Sequence, residues 1–283
     1  MSWVRRVAAD RAAVVGLALF AALVAIAVVG PLLTADPLAR DLDHGLTARG
    51  APLGPSAGAL LGTDPLGRDV WARLVAGAGT SLSIAAGATT LALVLGLAVG
   101  VVAGYRGGWV DGVLMRTVDL TLAFPALLLA ILVAAVLRET SLATSRAPVV
   151  LVLALVSWGL IARMIRAKAM SVARSPHVLA ARALGASPRR IVMRHVLPQL
   201  VGVITIAAVA TFAQVLLNES ALSFLGLGPP PPAPTWGRML YEGRAYYRSA
   251  PHLVIAPGLA IVVAVAAVHL IAQGLRSSVE EPR

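Results

Sequence analysis

Six stretches of the chain are nearly free of charge, and the polar residues gather between them. Crossing the hydrocarbon of a bilayer takes about 20 apolar residues in a helix, because each residue rises about 1.5 Å through a core about 30 Å thick. Residues 12–33, 82–103, 118–137, 148–161, 201–217 and 253–272 fit that requirement to within a turn or two. The fourth is the shortest and can continue through Ala162 and Met164. Its leading Pro148 is harmless at a helix start, where the missing N–H has no partner to lose. The pattern predicts an all-α membrane protein with six transmembrane helices. Stretch 12–33 follows a basic start, but it outruns the apolar core of a signal peptide and no convincing small-residue cleavage site follows it. It is expected to be retained as the first span.

Composition agrees with this picture and narrows it. The 283 residues are 58% apolar and 13% charged, with a mean hydropathy of +0.84, which favours one membrane domain over two soluble ones. Cysteine is absent, which excludes disulfides, thiol nucleophiles and cysteine-held metals. In a soluble protein the net charge of +11 would point to nucleic acid. Here it reports topology first, because Arg and Lys collect on the cytoplasmic side of a membrane. An even number of spans puts both termini on one side. Placing them inside gathers Arg5, Arg6, Arg11, Arg106, Arg116, the basic run from Arg163 to Arg194, Arg276 and Arg283 in the cytoplasm, which is most of the 24 basic residues. The connections at 34–79, 138–147 and 218–252 are then outside. The last contains Pro229 to Pro232, a run that favours an extended polyproline conformation. Gly96 and Gly100 in the second span form a small-xxx-small pair suited to close helix packing within the chain.

The longest inside loop carries the stretch AARALGASPRRIVMRHVLP, residues 180–198. Ser175-Pro176 and Ser187-Pro188 each read as a helix cap followed by proline at the first helical position, and Gly185 stops the helix between them. The loop is therefore expected to be helix, glycine hinge, helix. Ala180, Ala181 and Leu184 form a small apolar ridge on the first piece. On the second, Ile191, Val192, His195 and Val196 share a stripe from which Arg189, Arg190 and Arg194 diverge. Such a loop suits a protein groove or the surface of a bilayer, and periodicity leaves both readings open.

The same stretch resembles the coupling loop of the permease subunits of bacterial ABC importers: Glu-Ala-Ala, three residues, Gly, and later Leu-Pro. The matching residues are Ala180, Ala181, Gly185, Leu197 and Pro198, while the motif's Glu falls on Leu179. Four further stretches resemble the second permease of dipeptide, oligopeptide and nickel importers. They are LGTDPLGRDVWARLVAGAGTSL (61–82), GYRGGWVDGVLMRTVDLTLAFPALLLAI (104–131), NESALSFLGLGPPPPAPTWGRML (218–240) and APGLAIVVAVAAVHLIAQGLR (256–276). In the last, the usual Gly-Asp-Gly-Leu-Arg exit reads Ala272, Gln273, Gly274, Leu275, Arg276. The resemblance implies a transmembrane domain at 61–283 with a cytoplasmic helix-turn-helix coupling loop at 175–198. It is preceded by a segment at 1–60 holding the cytoplasmic tail, the first span and the start of the outer loop. It also implies a bacterial inner-membrane location with both termini cytoplasmic, and partners comprising a second homologous permease, two ATP-binding subunits, a solute-binding protein outside and membrane lipid, without nucleic acid. Leu179, Ala180, Ala181, Gly185, Arg189, Arg190, Leu197 and Pro198 would meet the ATP-binding subunits. No cofactor is expected in this chain, and ATP and Mg would sit in those partners.

Four sets of charged or distorting residues remain. Asp64, Arg68 and Asp69 form an acid-base-acid cluster that would either position a loop toward the delivery protein or tie that loop down. Asn218 and Glu219 close the fifth span, where an ionisable group at membrane depth is a pathway candidate or else fixes the following turn. Arg116 and Asp119 are spaced to pair across one helical turn at the membrane interface. Phe124-Pro125 should distort the third span. No catalytic residue is expected: the only lysine, Lys168, lies in no glycine-rich phosphate loop. His44, His177, His195, His252 and His269 have no metal-site spacing, so no metal is expected either. A transporter driven by an ion gradient is the competing class. It would need ionisable residues near mid-membrane, which these spans scarcely contain.

Overall fold

The computed structural model describes residues 10–137 and 145–280, and among them every regular element is helical. Helix α1 (Arg11–Leu33) begins at Asp10, whose carboxylate accepts the Ala12 N–H at 2.8 Å and so satisfies a donor that a helix start leaves free. Asp69 does the same for α2 (Val70–Arg106), accepting from the Trp71 N–H at 3.0 Å. There follow α3 (Gly108–Ala123), α4 (Ala126–Leu137), α5 (Ala147–Ala173), the short α6 (Pro176–Ala183) and α7 (Pro188–Ile191). A π-helical turn (Val192–Val196) leads into α8 (Leu197–Phe224), and the chain ends with the short α9 (Trp236–Gly243) and the long α10 (His252–Glu280).

Helices α1, α2, α5, the continuous rod Pro188–Phe224 and α10 are each long and apolar enough to cross a membrane, and α3 and α4 qualify as a pair. The chain is a multi-pass membrane protein. The third span is where the expectation needs correction: residues 118–137 are two helices bent by 91° at Phe124-Pro125. Phe124 is extended, with φ −87° and ψ 137°, as the residue before a proline prefers, and Pro125 has no N–H with which to continue the ladder. Other ends move outward. Helix α2 starts at Val70 and α5 runs to Ala173, because hydropathy marks only the embedded part of a helix whose hydrogen bonding continues beyond it. Arg5, Arg6, Arg283 and residues 138–144 of the connection expected at 138–147 lie outside the described residues.

The centre of the bundle is the α2–α5 crossing. A Cβ at Gly96 would lie 2.7 Å from Ile161 Cβ, one at Gly100 2.7 Å from the Ala162 carbonyl oxygen, and one at Gly104 2.6 Å from that of Arg166. Only a missing side chain permits this approach, so the small-residue stripe is spent within the chain. Helix α3 crosses α5 at Gly159, and α1 lies outermost, with Gly16 against the α10 backbone at Ala267–Ile271 and Phe20 edge-on to Phe212 at 5.6 Å.

The bundle has two built ends. At one, residues 34–69 and 225–251 fold over the helices: Thr63 Oγ1 donates to the Gly45 carbonyl at 2.6 Å and Trp236 Nε1 donates to the Leu74 carbonyl at 3.0 Å. The other carries α6, α7 and the tight turn between α2 and α3.

Candidate functional site

At the second end, α6 stops in a glycine-dependent turn. Gly185 has φ +80°, its N–H donates to the Arg182 carbonyl at 3.0 Å, and the Ala186 N–H donates to that of Ala181 at 3.1 Å, so the last carbonyls of the helix are satisfied as the chain reverses. Ser187 caps α7 through a hydrogen bond from the Arg190 N–H at 3.4 Å. Ser175 holds the expected N-cap position of α6, with extended backbone and Pro176 following, but its hydroxyl donates backward to the Val172 carbonyl at 2.5 Å and gives the helix no side-chain cap. Proline at the first position leaves one donor fewer to satisfy there.

One face of this helix pair is anchored. Val178, Ile191, Val196 and Leu200 are buried against the ends of α2 and α5. The Gln199 amide donates to His177 Nε2 at 2.7 Å, and the Arg182 guanidinium stands 5.7 Å from the centre of the Tyr105 ring on α2. The opposite face is open. Leu184 is 89% exposed, Met193 59% and Leu179 50%, among exposed Ala180, Arg182, Arg189, Arg190 and Arg194. Of the residues singled out in the sequence, Gly185 and Pro198 are also exposed, whereas Ala181 and Leu197 are half-buried. The second half of the loop is continuous with the bundle, since α7, the π-helical turn and α8 run on as one helix.

Between the ends lies a groove of about 960 Å³, bounded by the α3–α4 bend at Leu122 and Ala126, by α5, by α8 and by α10. Its walls are mostly apolar, with Gln214, Asn218, His269, Gln273 and Arg276 as the main polar groups. Gln214 Nε2 donates to Asn218 Oδ1 at 3.1 Å, and among the described residues no carboxylate lines the groove. The structure thus separates two residues that the sequence grouped. Asn218 faces the groove, while Glu219 is fully buried on the far side of α8, where Ser223 Oγ donates to its Oε1 at 2.7 Å.

The expected pairing of Arg116 with Asp119 is also corrected. Asp119 pairs with Arg163 of α5 at 2.5 Å, and Arg166 of α5 holds Asp111 through two hydrogen bonds, while Arg116 is exposed. Interhelical pairing wins because α3 packs directly across α5 at Gly159. These pairs fix the arm that leads to the bend.

At the first end, Asp64 and Arg68 do pair, at 2.6 Å, but Asp69 is occupied as the cap of α2. The cluster is completed by residues that sequence reasoning missed, Arg73, Arg238 and Glu242. Arg73 Nη1 also donates to Asp64, and Glu242 accepts from Arg73 at 2.8 Å, Arg238 at 2.9 Å and Arg68 at 3.0 Å. Burial alone would push the Glu242 carboxyl up. The charge of Arg73 and the hydrogen bonds from Arg73 and Arg238, helped by Arg68, outweigh that effect and hold it below the usual range. Arg73 sits one helical turn into α2, a spacing from Asp69 that could have suggested it. Glu242 lies 174 positions from Arg68, which no local pattern connects.

Residues 96–281 match the family described as binding-protein-dependent transport system inner membrane component, and residues 2–49 match the N-terminal transmembrane domain of oligopeptide transport permease C. The chain is 36% identical over 271 residues to the dipeptide transport system permease protein DppC of Alkalihalophilus pseudofirmus, covering 96% of this chain and 86% of that protein. It is 38% identical over 229 residues to the glutathione transport system permease protein GsiD of Pectobacterium atrosepticum, covering 80% and 74%. Among solved structures, a chain of the MetNI methionine ABC transporter in an inward-facing conformation superposes with a TM-score of 0.60 at 21% identity, covering 74% of this chain and 97% of that one. That likeness speaks for the fold.

Proposed function

The chain belongs to the family of binding-protein-dependent transport system inner membrane components, and on that footing we propose that it forms, with a second homologous permease, the pathway of an ATP-driven importer for short peptides. It is a membrane permease and not itself catalytic. ATP and Mg belong to two separate ATP-binding subunits, and a binding protein outside delivers the solute. Both termini and the 175–198 loop face the cytoplasm of a bacterial cell, as the distribution of arginines favours.

The observation that carries this reading is the two-faced loop, anchored on one side by Val178, Ile191, Val196 and Leu200 and presenting Leu179, Leu184 and Met193 on the other. An exposed leucine ringed by arginines is costly in water and is satisfied by an apolar cleft with an acidic rim. Force applied there passes along the single rod Pro188–Phe224 to the groove, one wall of which is α8. Nucleotide-driven closure of the ATP-binding subunits therefore changes the groove by moving one rigid lever between two positions. Leu179, where the motif has Glu, makes this contact apolar. Asn218 and Gln214 offer neutral hydrogen-bonding groups to a peptide in the groove, a chemistry that suits amides and carries no charge preference.

The chain has no cysteine, so a single cysteine at Leu184 is a clean probe. In the assembled complex it should crosslink to the ATP-binding subunit, and ATP should alter the yield. Absence of a crosslink across a panel of partner cysteines would overturn docking through this loop.

A further inference from the structure

The end of the bundle remote from α6 has a feature that the pathway does not use. A pocket of about 400 Å³ opens between the 40–68 segment and the start of α9, walled by Pro231 and Pro232 and lined by Arg40, Arg68, Arg238 and Glu242. Its charges are unbalanced in a specific way. Both carboxylates of the cluster are heavily engaged: Asp64 accepts from the backbone N–H groups of Leu66 and Arg68 and from two guanidiniums, and Glu242 accepts from three. The guanidiniums are not. Arg68 spends its Nε and Nη2 on Asp64 and Glu242, and Arg238 spends its Nε on Glu242 and its Nη1 on the Pro229 carbonyl, which leaves each with further donors. Arg40 is exposed and has no carboxylate partner among the described residues. Arg68 and Arg238 are held in place by these bonds and the walls are proline, so little ordering is needed before a ligand engages.

We propose that this pocket receives an acidic side chain of the solute-binding protein, a carboxylate entering between Arg40 and the fixed Arg68 and Arg238. The inference rests on the importer reading above and gives its outer partner a place and a chemistry. A carboxylate is the planar, bidentate complement of a guanidinium, and the end of the bundle opposite the coupling loop is where a delivery protein must sit. Because Arg73 of α2 and Arg68 just before it hold Glu242 of α9, an inserted carboxylate would compete for the groups that hold this end together. Docking would thereby be felt at the start of the second span.

The test measures the affinity of the binding protein for the complete complex in lipid nanodiscs. Arg40→Glu, a change at an exposed position, should weaken binding by about tenfold or more at low ionic strength, with the difference shrinking as salt rises. Arg49→Glu, an exposed change in the same segment outside the pocket, should leave affinity within about twofold. Replacing the matching acidic residue of the binding protein with Arg should restore affinity to Arg40→Glu. Equal affinities for wild type and Arg40→Glu would overturn the proposal, as would a loss that appears only in nanodiscs containing anionic lipid, which would make the pocket a headgroup site. If the wild-type complex binds no delivery protein at all, the importer reading fails instead, so the two failures are distinguishable.

Discussion

Leu184 and Gly185 concentrate the account at the residue scale. Leu184 is 89% exposed beside the one residue of the loop with a left-handed backbone. Covering a leucine is worth about 1.5–3 kcal/mol, so Leu184→Ser should weaken association with the ATP-binding subunit by roughly tenfold or more, read by titrating that subunit onto the permease. Unchanged affinity would mean that the ridge is not the contact. Leu179→Glu tests the departure from the family motif in the same titration. The expected outcome is weaker docking to the native partner, and stronger docking would show that a carboxylate belongs at this contact. Gly185→Ala meets no atom within 4 Å and acts through strain alone, costing about 1–2 kcal/mol that should appear as a lower melting temperature of the permease. The hinge and its caps were legible in the sequence because glycine, serine and proline act locally. The face that Leu184 presents was legible only in part, since Ala181 on the same expected ridge is half-buried.

At the scale of elements, the α2–α5 crossing and the outer clamp make opposite demands. The crossing requires absence of side chains: Gly96→Leu should separate α2 from α5 and lower the yield of folded permease, whereas Gly112→Ala, with nothing within 4 Å, should not. The clamp requires charge. Glu242 is held below its ordinary range, so its contribution is fully present above the usual glutamate value of about 4.3 and is lost as pH falls through the lowered value. Thermal unfolding in detergent between pH 7 and pH 3 should show this loss in the wild type. Glu242→Gln should be less stable at pH 7 and flatter toward acid, and identical profiles would contradict the clamp. Here the sequence was least informative. Hydropathy located the spans, but the 91° bend at Phe124-Pro125, the exchange of Arg116 for Arg163 as partner of Asp119, and the closure of Glu242 onto Arg68 all depend on how helices cross. A distortion at proline could be anticipated; its angle could not.

For the whole molecule, the proposed path runs from the exposed loop at one end along the continuous helix Pro188–Phe224 to the groove, with the charged clamp at the other end. Among the described residues the groove is lined by amides, a histidine and an arginine. The most direct measurement is peptide uptake into proteoliposomes holding the permease pair, both ATP-binding subunits and the binding protein, with no ion gradient imposed. The expected uptake requires ATP on the side of the 175–198 loop and disappears when that loop cannot dock. Uptake that follows an imposed proton gradient and is indifferent to ATP would contradict it.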